Sequence, residues 1–323
     1  MTYKTFKQFL LILLILSACI NADEFLRDHQ RKHKSKLESW SFALRLHNKQ
    51  DTIHTVVFFV SGKMLFMSGN YVYSGTYNNA DGTFVSEGKA LVPPFQLVRH
   101  NHKRLDERFD NDRIYIDLGS GELNLDIRLP IGKTTISAPL ESTPIRFADI
   151  FTKPQTRARF EWYLSPLCDI TARIENRPGT YKGEGYFQHF WGDEAEQNAD
   201  WMVAHLEDGS MLIGAHFSPE AAKKPWLPED YLLRVTPEGA KKMHDDISFT
   251  VQKSLRGKKG LYPTSFEINT VRGDRVRFDA YKEKQLSKIH TREAWNGFGG
   301  VSAEIEGEKY KGWAYFSPFM RKE

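Results

Sequence analysis

Hydrophobic and polar residues alternate with a period of two along most of the chain, the pattern of β-strands that bury one face. Trp40, Phe42, Leu44 and Leu46, for example, alternate with more polar or smaller residues between them. This alternation, together with β-branched and aromatic content, predicts strands at 38–46, 52–60, 64–74, 82–92, 113–118, 122–129, 157–163, 169–174 and 183–190. A second series is predicted at 201–206, 210–217, 230–235, 247–254, 264–270, 275–281, 300–305 and 310–316.

Turn signals separate these strands, and helices are scarce. The segments 79–82 and 119–121 supply the glycines that hairpins need. Short helices are predicted at 219–224 and 237–245, because each begins near a proline, and one helical turn is predicted at 145–150.

An all-β fold with two tandem lipocalin-like antiparallel β-barrels accounts for both strand series, because eight strands of this length close into an up-and-down barrel. A pair of β-sandwiches is the alternative that the same strand count allows. The expected domains are residues 23–195 and residues 196–323.

Length and charge agree with two globular domains. The chain has 323 residues, of which 40% are hydrophobic, so two domains or one large β domain are expected. Its 45 basic and 41 acidic side chains give 45 − 41 = +4, without an extended basic block, which does not favour nucleic acid as a partner.

The N-terminus reads as a signal peptide over residues 1–22. Lys4 and Lys7 precede an apolar run at 9–16, which is too short to span a bilayer. Residues 16–19 resemble the bacterial lipobox, in which Cys19 would carry lipid; cleavage after Ala22 is the alternative.

These features predict an exported, membrane-associated protein. With a lipid on Cys19, it would be a cell-envelope lipoprotein that contacts the membrane surface through its acyl chains. In a Gram-negative cell, Ile20 after the cysteine favours the outer membrane. Without lipidation, the protein would be secreted.

The second cysteine, Cys168, lies in an apolar run and is expected to be a buried structural thiol. The eleven histidines are scattered, and no third ligand accompanies the closest pairs, so neither a metal nor another cofactor is expected.

The strongest candidate chemistry lies in the segment 183–194. His189 and Trp191 are two residues apart on a predicted strand and therefore face the same side. A carboxylate such as Asp193 or Glu194 would favour the imidazolium form of His189, and an indole face stabilises a nearby cation. For an isolated H-x-W, a structural role in the core is the commoner interpretation.

Residues 186–209 resemble the G-Y-x-x-H-x-W-G-D … W … L-x-D-G signature of the carotenoid 1,2-hydratase (hydroxyneurosporene synthase) and AttH-like family. Residues 25–29 and 38–42 are similar to its F-P-R-D-H … E-W-W-Y opening, and 262–266, 295–297 and 312–315 to its Y-P-x-x-W and W-E-G … G-x-G-Y segments.

The resemblance implies tandem lipocalin-like domains that act on hydrophobic, often isoprenoid, molecules by protonating a double bond and adding water, without a cofactor. On this basis His189 is the expected proton donor and Asp193 orients it. The expected substrate-binding residues are Trp40, Tyr186, Trp191 and Trp201.

The match is incomplete, which leaves the function open. Ser39 and Asn296 replace a tryptophan and a glutamate of the family pattern. Hydratases of the family pair H-x-W with a downstream tyrosine and aspartate. The nearest candidates for these two residues in this chain are His205 and His216, which are of a different type. The alternatives are a lipid-binding carrier without chemistry, associated with a membrane transport system, and a purely structural second barrel.

Overall fold

The computed structural model describes residues 37–64, 67–91, 98–101, 104–109, 112–117, 120–140, 144–146, 160–192, 199–224, 229–289 and 292–321. The predicted signal peptide, Cys19 and Asp193 lie outside these residues, as does the predicted domain boundary at 195/196. Among the described residues, no helix has the length and hydropathy that crossing a bilayer requires.

Within the described ranges, the first sheet contains twelve strands. They are β1 Leu37–His47, β2 Thr52–Met64, β3 Met67–Asn78, β4 Thr83–Leu91, β5 Val98–Asn101, β6 Arg104–Phe109, β7 Asp112–Asp117, β8 Glu122–Leu129, β9 Gly132–Pro139, β10 Ile145–Arg146, β11 Phe160–Ile174 and β12 Tyr181–Gly192.

The second sheet contains nine strands in the part of the chain that is described. They are β13 Ala199–Leu206, β14 Met211–Phe217, β15 Tyr231–Val235, β16 Lys241–His244, β17 Ile247–Arg256, β18 Leu261–Thr270, β19 Arg275–Ala280, β22 Gly297–Ile305 and β23 Glu308–Ser317. A separate hairpin pairs β20 Leu286–Ile289 with β21 Arg292–Trp295, and a short helix, α1, spans Pro219–Ala222.

Both sheets have the same topology. The strand orders are β4-β3-β2-β1-β12-β11-β9-β8-β7-β6-β5 and β16-β15-β14-β13-β23-β22-β19-β18-β17, so the first strand of each sheet pairs with the last. Each sheet curls into a half-barrel, which confirms the all-β fold with two tandem lipocalin-like units. The strands outnumber the eight expected in each half, because short polar strands such as β5 and β6 carry little hydrophobic pattern.

The pairing of first and last strands has the same register in both halves. Leu44 of β1 lies opposite Gly185 of β12, and Leu206 of β13 lies opposite Gly312 of β23. A Cβ atom at Gly185 would overlap the carbonyl oxygen of Ala43, and one at Gly312 would overlap that of His205. Close backbone approach therefore requires glycine at both positions.

Gly185→Ala and Gly312→Ala are each expected to lower the free energy of unfolding by about 1–3 kcal/mol, because the added methyl group overpacks a strand pair. Reversible urea unfolding measures this. Gly300→Ala is the matched control, since its Cβ would meet Tyr281 Cε1 at an ordinary 3.7 Å. Losses no greater than the control's would contradict the steric argument.

In the part of the chain that the structure describes, three hydrophobic cores stabilise the two sheets. The first core fills the first half-barrel and includes Trp40, Phe42 and Phe187, and the second core fills the other and includes Met202 and Phe316. A shared core lies between the sheets, formed by side chains of both, among them Ala43, Tyr186, Val203, Trp313 and Tyr315. The predicted half-buried strand at 38–46 is therefore buried on both faces along most of its length.

Cys168 is exposed, which contradicts the expected buried thiol. The pairing of β11 with β12 shifts register between Leu167 and Ile170, and Asp169 has a φ of 55°. Such a bulge interrupts the register and changes the side-chain alternation, so the apolar run does not place Cys168 inside. The same bulge joins the two strands predicted at 157–163 and 169–174 into the single strand β11.

Of the two predicted short helices, one is confirmed in part and one is wrong. Helix α1 begins after Ser218, whose side chain accepts a hydrogen bond from the backbone N–H of Ala221. Residues 237–245 instead form a turn, in which Gly239 has a φ of 83°, followed by β16. This turn makes a β15–β16 hairpin, because the proline and glycine act as turn residues rather than as a helix start. Residues 145–146 form the short strand β10, so the helical turn predicted at 145–150 is wrong there.

Candidate functional site

The candidate site is built on the pairing of β1 with β12 and faces the first core. His189 of β12 lies opposite Trp40 of β1, and its other neighbour is Tyr163 of β11. Residues directly opposite each other on antiparallel strands project to the same face. The three side chains therefore form one row, and both His189 and Trp40 are fully buried.

Glu38 supplies the carboxylate of this site. Its Oε1 lies 3.0 Å from Nε2 of His189, and the two side chains are 2% and 0% exposed. Glu38 is two residues before Trp40 on the same face of β1, opposite Trp191. A buried carboxylate bonded to an imidazole stabilises the protonated ring, and it also fixes the ring's orientation.

Aromatic rings enclose the histidine. The His189 ring stacks on Trp40 with centroids 5.1 Å apart and planes 11° apart, and its centroid is 4.7 Å from that of Trp191. Tyr163 packs against Trp191 at 5.3 Å. The pair of acid and base is thus buried with π-faces next to it, which would stabilise a positive charge.

The other predicted substrate-binding residues lie elsewhere. Tyr186 belongs to the shared core, and Trp201 packs against that core and meets Trp162 edge-on at 5.5 Å. The side chain of Tyr186 projects from the face of β12 opposite to that of His189, because the two are three residues apart on a strand. The structure therefore brings together Trp40, His189 and Trp191, but neither Tyr186 nor Trp201 joins them.

Glu38 is the residue that sequence reasoning missed. It stands at the first position of the segment similar to E-W-W-Y, two residues before the predicted pocket residue Trp40, so both the resemblance and the period of two pointed to it. It was overlooked because Asp193 and Glu194 are far closer to His189 along the chain, whereas Glu38 is 151 residues away.

An open cleft of about 490 Å³ adjoins the same face of the first sheet, at the edge formed by β3 and β4. Its lining includes Val72 and Ser74 with the charged side chains of Lys89 and Arg128. Val72 lies opposite Phe59, and Phe59 lies opposite Trp40. One row of side chains therefore runs from the cleft through Phe59 and Trp40 to His189.

His205 and His216, the two downstream candidates, lie in different places. His205 stacks on Trp313 in the shared core with centroids 4.8 Å apart, and burial lowers its pKa to about 4. His54 lies against the same tryptophan, and burial, followed by the charge of Arg45, lowers its pKa to about 3. Both imidazoles are therefore neutral at physiological pH. His216 lies at one end of the second sheet.

Within the described ranges, no three His, Cys, Asp or Glu side chains are grouped as a metal site requires. What the site offers chemically is proton transfer by the His189–Glu38 pair, next to rings that can stabilise a cation.

The chain was compared with family models, curated proteins and solved structures. No family model matches the chain, and no curated protein matches it either. A crystal structure assigned to AttH from Nitrosomonas europaea superposes with a TM-score of 0.71 at 15% identity, covering 92% of this chain and 97% of that one.

Two further solved structures are similar over most of their length. Kievitone hydratase from Nectria haematococca has a TM-score of 0.66 at 11% identity and covers 88% of this chain and 89% of its own. CghA has a TM-score of 0.54 at 11% identity, with 89% of each chain covered. The chain therefore has the two-barrel fold of the AttH and kievitone hydratase structures.

Proposed function

We propose that this protein is a cofactor-independent hydratase, or a related hydro-lyase or isomerase, that protonates a double bond of a hydrophobic isoprenoid or lipid-like molecule. The observation that carries this proposal is the buried His189–Glu38 pair, held at 3.0 Å between Trp40 and Trp191. Its support is the fold shared with a kievitone hydratase and the sequence resemblance to hydratases.

In the proposed reaction, the protonated His189–Glu38 pair gives its proton to one carbon of the double bond. The π bond breaks, a C–H bond forms, and a positive charge develops on the other carbon. The faces of Trp40 and Trp191 and the negative charge left on the pair stabilise this cation. One water molecule then adds its oxygen to the cation and returns a proton to the pair, which regenerates the acid.

Burial serves this chemistry by keeping other water away from the cation. Because His189 and Trp40 are fully buried, a substrate reaches them only when neighbouring side chains move. The row of Val72, Phe59 and Trp40 that leads from the 490 Å³ cleft is the proposed route.

A carrier without chemistry is the second candidate. The cleft favours it, because Val72 lies there beside the basic side chains of Lys89 and Arg128 and the acidic ones of Glu87 and Asp112, a mixture that suits an amphipathic molecule. In this case a transport system in the membrane would be the partner, and the His189–Glu38 pair would serve only packing.

Export is part of both proposals. The signal peptide at residues 1–22 and lipidation at Cys19 would place the protein in the cell envelope, close to membranes that hold hydrophobic substrates.

Incubation of the purified protein with a lipid extract of its host in ¹⁸O-labelled water tests the enzyme proposal. We expect mass spectrometry to detect a product heavier than its precursor by one ¹⁸O water. Replacing His189 with alanine should abolish it, because the group that donates the proton in the proposed reaction is removed.

Gly300→Ala is the control for this assay, because its position lies in the second sheet. Equal labelling by the wild type and His189→Ala would reject the role of His189. Retention of one unaltered hydrophobic molecule by both proteins would instead favour the carrier.

A further inference from the structure

A second histidine–carboxylate pair lies at one end of the second sheet, on its inner face. Nδ1 of His216 is 2.5 Å from Oδ2 of Asp230, and the backbone N–H of Phe217 donates to Oδ1 of Asp230 at 2.8 Å. Both oxygens of the carboxylate are thus engaged, so its position is fixed. Unlike the His189–Glu38 pair, these side chains are 28% and 30% exposed.

The hydrogen bond determines the tautomer of His216. A carboxylate can only accept, so the proton lies on Nδ1, and in the neutral ring Nε2 carries a lone pair. No side chain among the described residues forms a hydrogen bond with Nε2. The ring is held in place by Phe249, on which it stacks at 4.7 Å with planes 2° apart. In its neutral form, His216 therefore presents a fixed hydrogen-bond acceptor, whereas the imidazolium form that a carboxylate favours would donate from Nε2.

The surroundings restrict the charge of a ligand. Asp200 lies opposite His216 on β13, and Arg321 donates to both of its carboxylate oxygens. These two charges cancel, and Asp230 leaves one net negative charge when His216 is neutral. An anion is disfavoured next to such a group, whereas a neutral hydrogen-bond donor is accepted.

Two partly exposed aromatic rings lie beside the acceptor, and one of them, Phe249, is also stacked on by His216 and Phe266. Phe249 and Phe319 are each partly exposed, and the guanidinium of Arg321 lies over both rings, at 5.8 Å and 4.4 Å. His216 contacts the same two rings. One fixed acceptor, two half-buried rings and a net negative charge suit a neutral, hydroxyl-bearing apolar molecule.

We propose that His216, with Asp230, Phe249 and Phe319, forms a second binding site that takes a neutral apolar alcohol or phenol, whose hydroxyl group donates to Nε2 of His216. This site is separate from the His189 site, which lies in the other sheet and is fully buried. Asp230 acts as a positioning residue, because it sets the tautomer without touching the ligand.

A pair of probes that differ only in the donor tests the site: 2-naphthol, which has a hydroxyl group, and 2-methoxynaphthalene, which lacks it. For the full mature chain we expect naphthol to bind about three- to tenfold more tightly, the worth of one neutral hydrogen bond. Titration followed by naphthalene fluorescence measures both affinities. Equal affinities would overturn the proposal.

Asp230→Asn tests the tautomer. The N–H of Phe217 keeps the amide oxygen on its side, so the amide NH₂ faces Nδ1 of His216 and forces the proton onto Nε2. The preference for naphthol should then be lost, and ¹⁵N spectra of labelled histidine should show the proton on Nε2. A preference retained in spite of this change of tautomer would overturn the role of Nε2.

His216→Phe keeps the stacking on Phe249 and removes the acceptor, so both probes should bind equally. Asp246→Asn, which changes an exposed acid of the same sheet's loops, is the matched control and should keep the wild-type ratio. A naphthol preference that survives His216→Phe would show that another group binds the hydroxyl and would reject the site.

Discussion

If the proposed hydration takes place, Glu38→Gln is expected to lower its rate by about 10²- to 10⁴-fold, the usual contribution of a positioned acid–base group. The amide can still accept a hydrogen bond from Nε2 of His189, so the geometry of the 3.0 Å contact is kept while the negative charge is lost. Without that charge, the imidazolium form of His189 is no longer favoured and the cation on the substrate loses a counter-charge. The rate of ¹⁸O incorporation from labelled water measures the effect.

Glu304→Gln serves as the control, because this glutamate is exposed on the outside of the second sheet. Its rate should equal that of the wild type. A Glu38→Gln protein that is folded, as judged by an unchanged unfolding midpoint, and still hydrates at the wild-type rate would exclude Glu38 from the reaction.

Acidification is expected to destabilise the protein by about 5 kcal/mol between about pH 7.5 and about pH 4.5, through His54 and His205 together. In the folded protein their pKa values are about 3 and about 4, whereas the ordinary value is 6.5. Below about pH 6.5 the unfolded chain therefore binds two protons that the folded chain does not. The stabilisation is present above the unfolded pKa and is lost as the pH falls toward the folded values.

Urea unfolding over this pH range measures the loss. The double variant His54→Phe with His205→Phe keeps aromatic volume at both positions and has no imidazole to protonate. Its free energy of unfolding should therefore fall by about 5 kcal/mol less than that of the wild type over this pH range. His47→Gln, at an exposed position of β1, should behave like the wild type. Parallel pH dependence in the double variant and the wild type would show that other groups cause the acid sensitivity.

The fold was predictable because most strands bury one face against one core, and the period of two reports that directly. The period of two was misleading where a bulge or a second sheet determines which side chains are buried. The bulge at Leu167 to Ile170 reverses the alternation and exposes Cys168, and Ser41 and Ala43 are buried because the second sheet covers them. Neither effect can be predicted from the local periodicity of the sequence.

The site was predictable only in part, for a related reason. His189 and Trp191 share a face because they are neighbours on one strand, which the sequence shows. Glu38 reaches His189 through the register between β1 and β12, which join distant parts of the chain. Sequence spacing pointed to Asp193, which lies outside the described residues, because Asp193 is close to His189 along the chain.

The repeated register places one steric demand at equivalent positions of the two sheets. Leu44 with Gly185 and Leu206 with Gly312 occupy equivalent places, and six residues before each leucine stands an acid, Glu38 in one half and Asp200 in the other. The steric demand on glycine is the same in both halves, whereas the partners of the two acids differ, with His189 in the first half and Arg321 in the second.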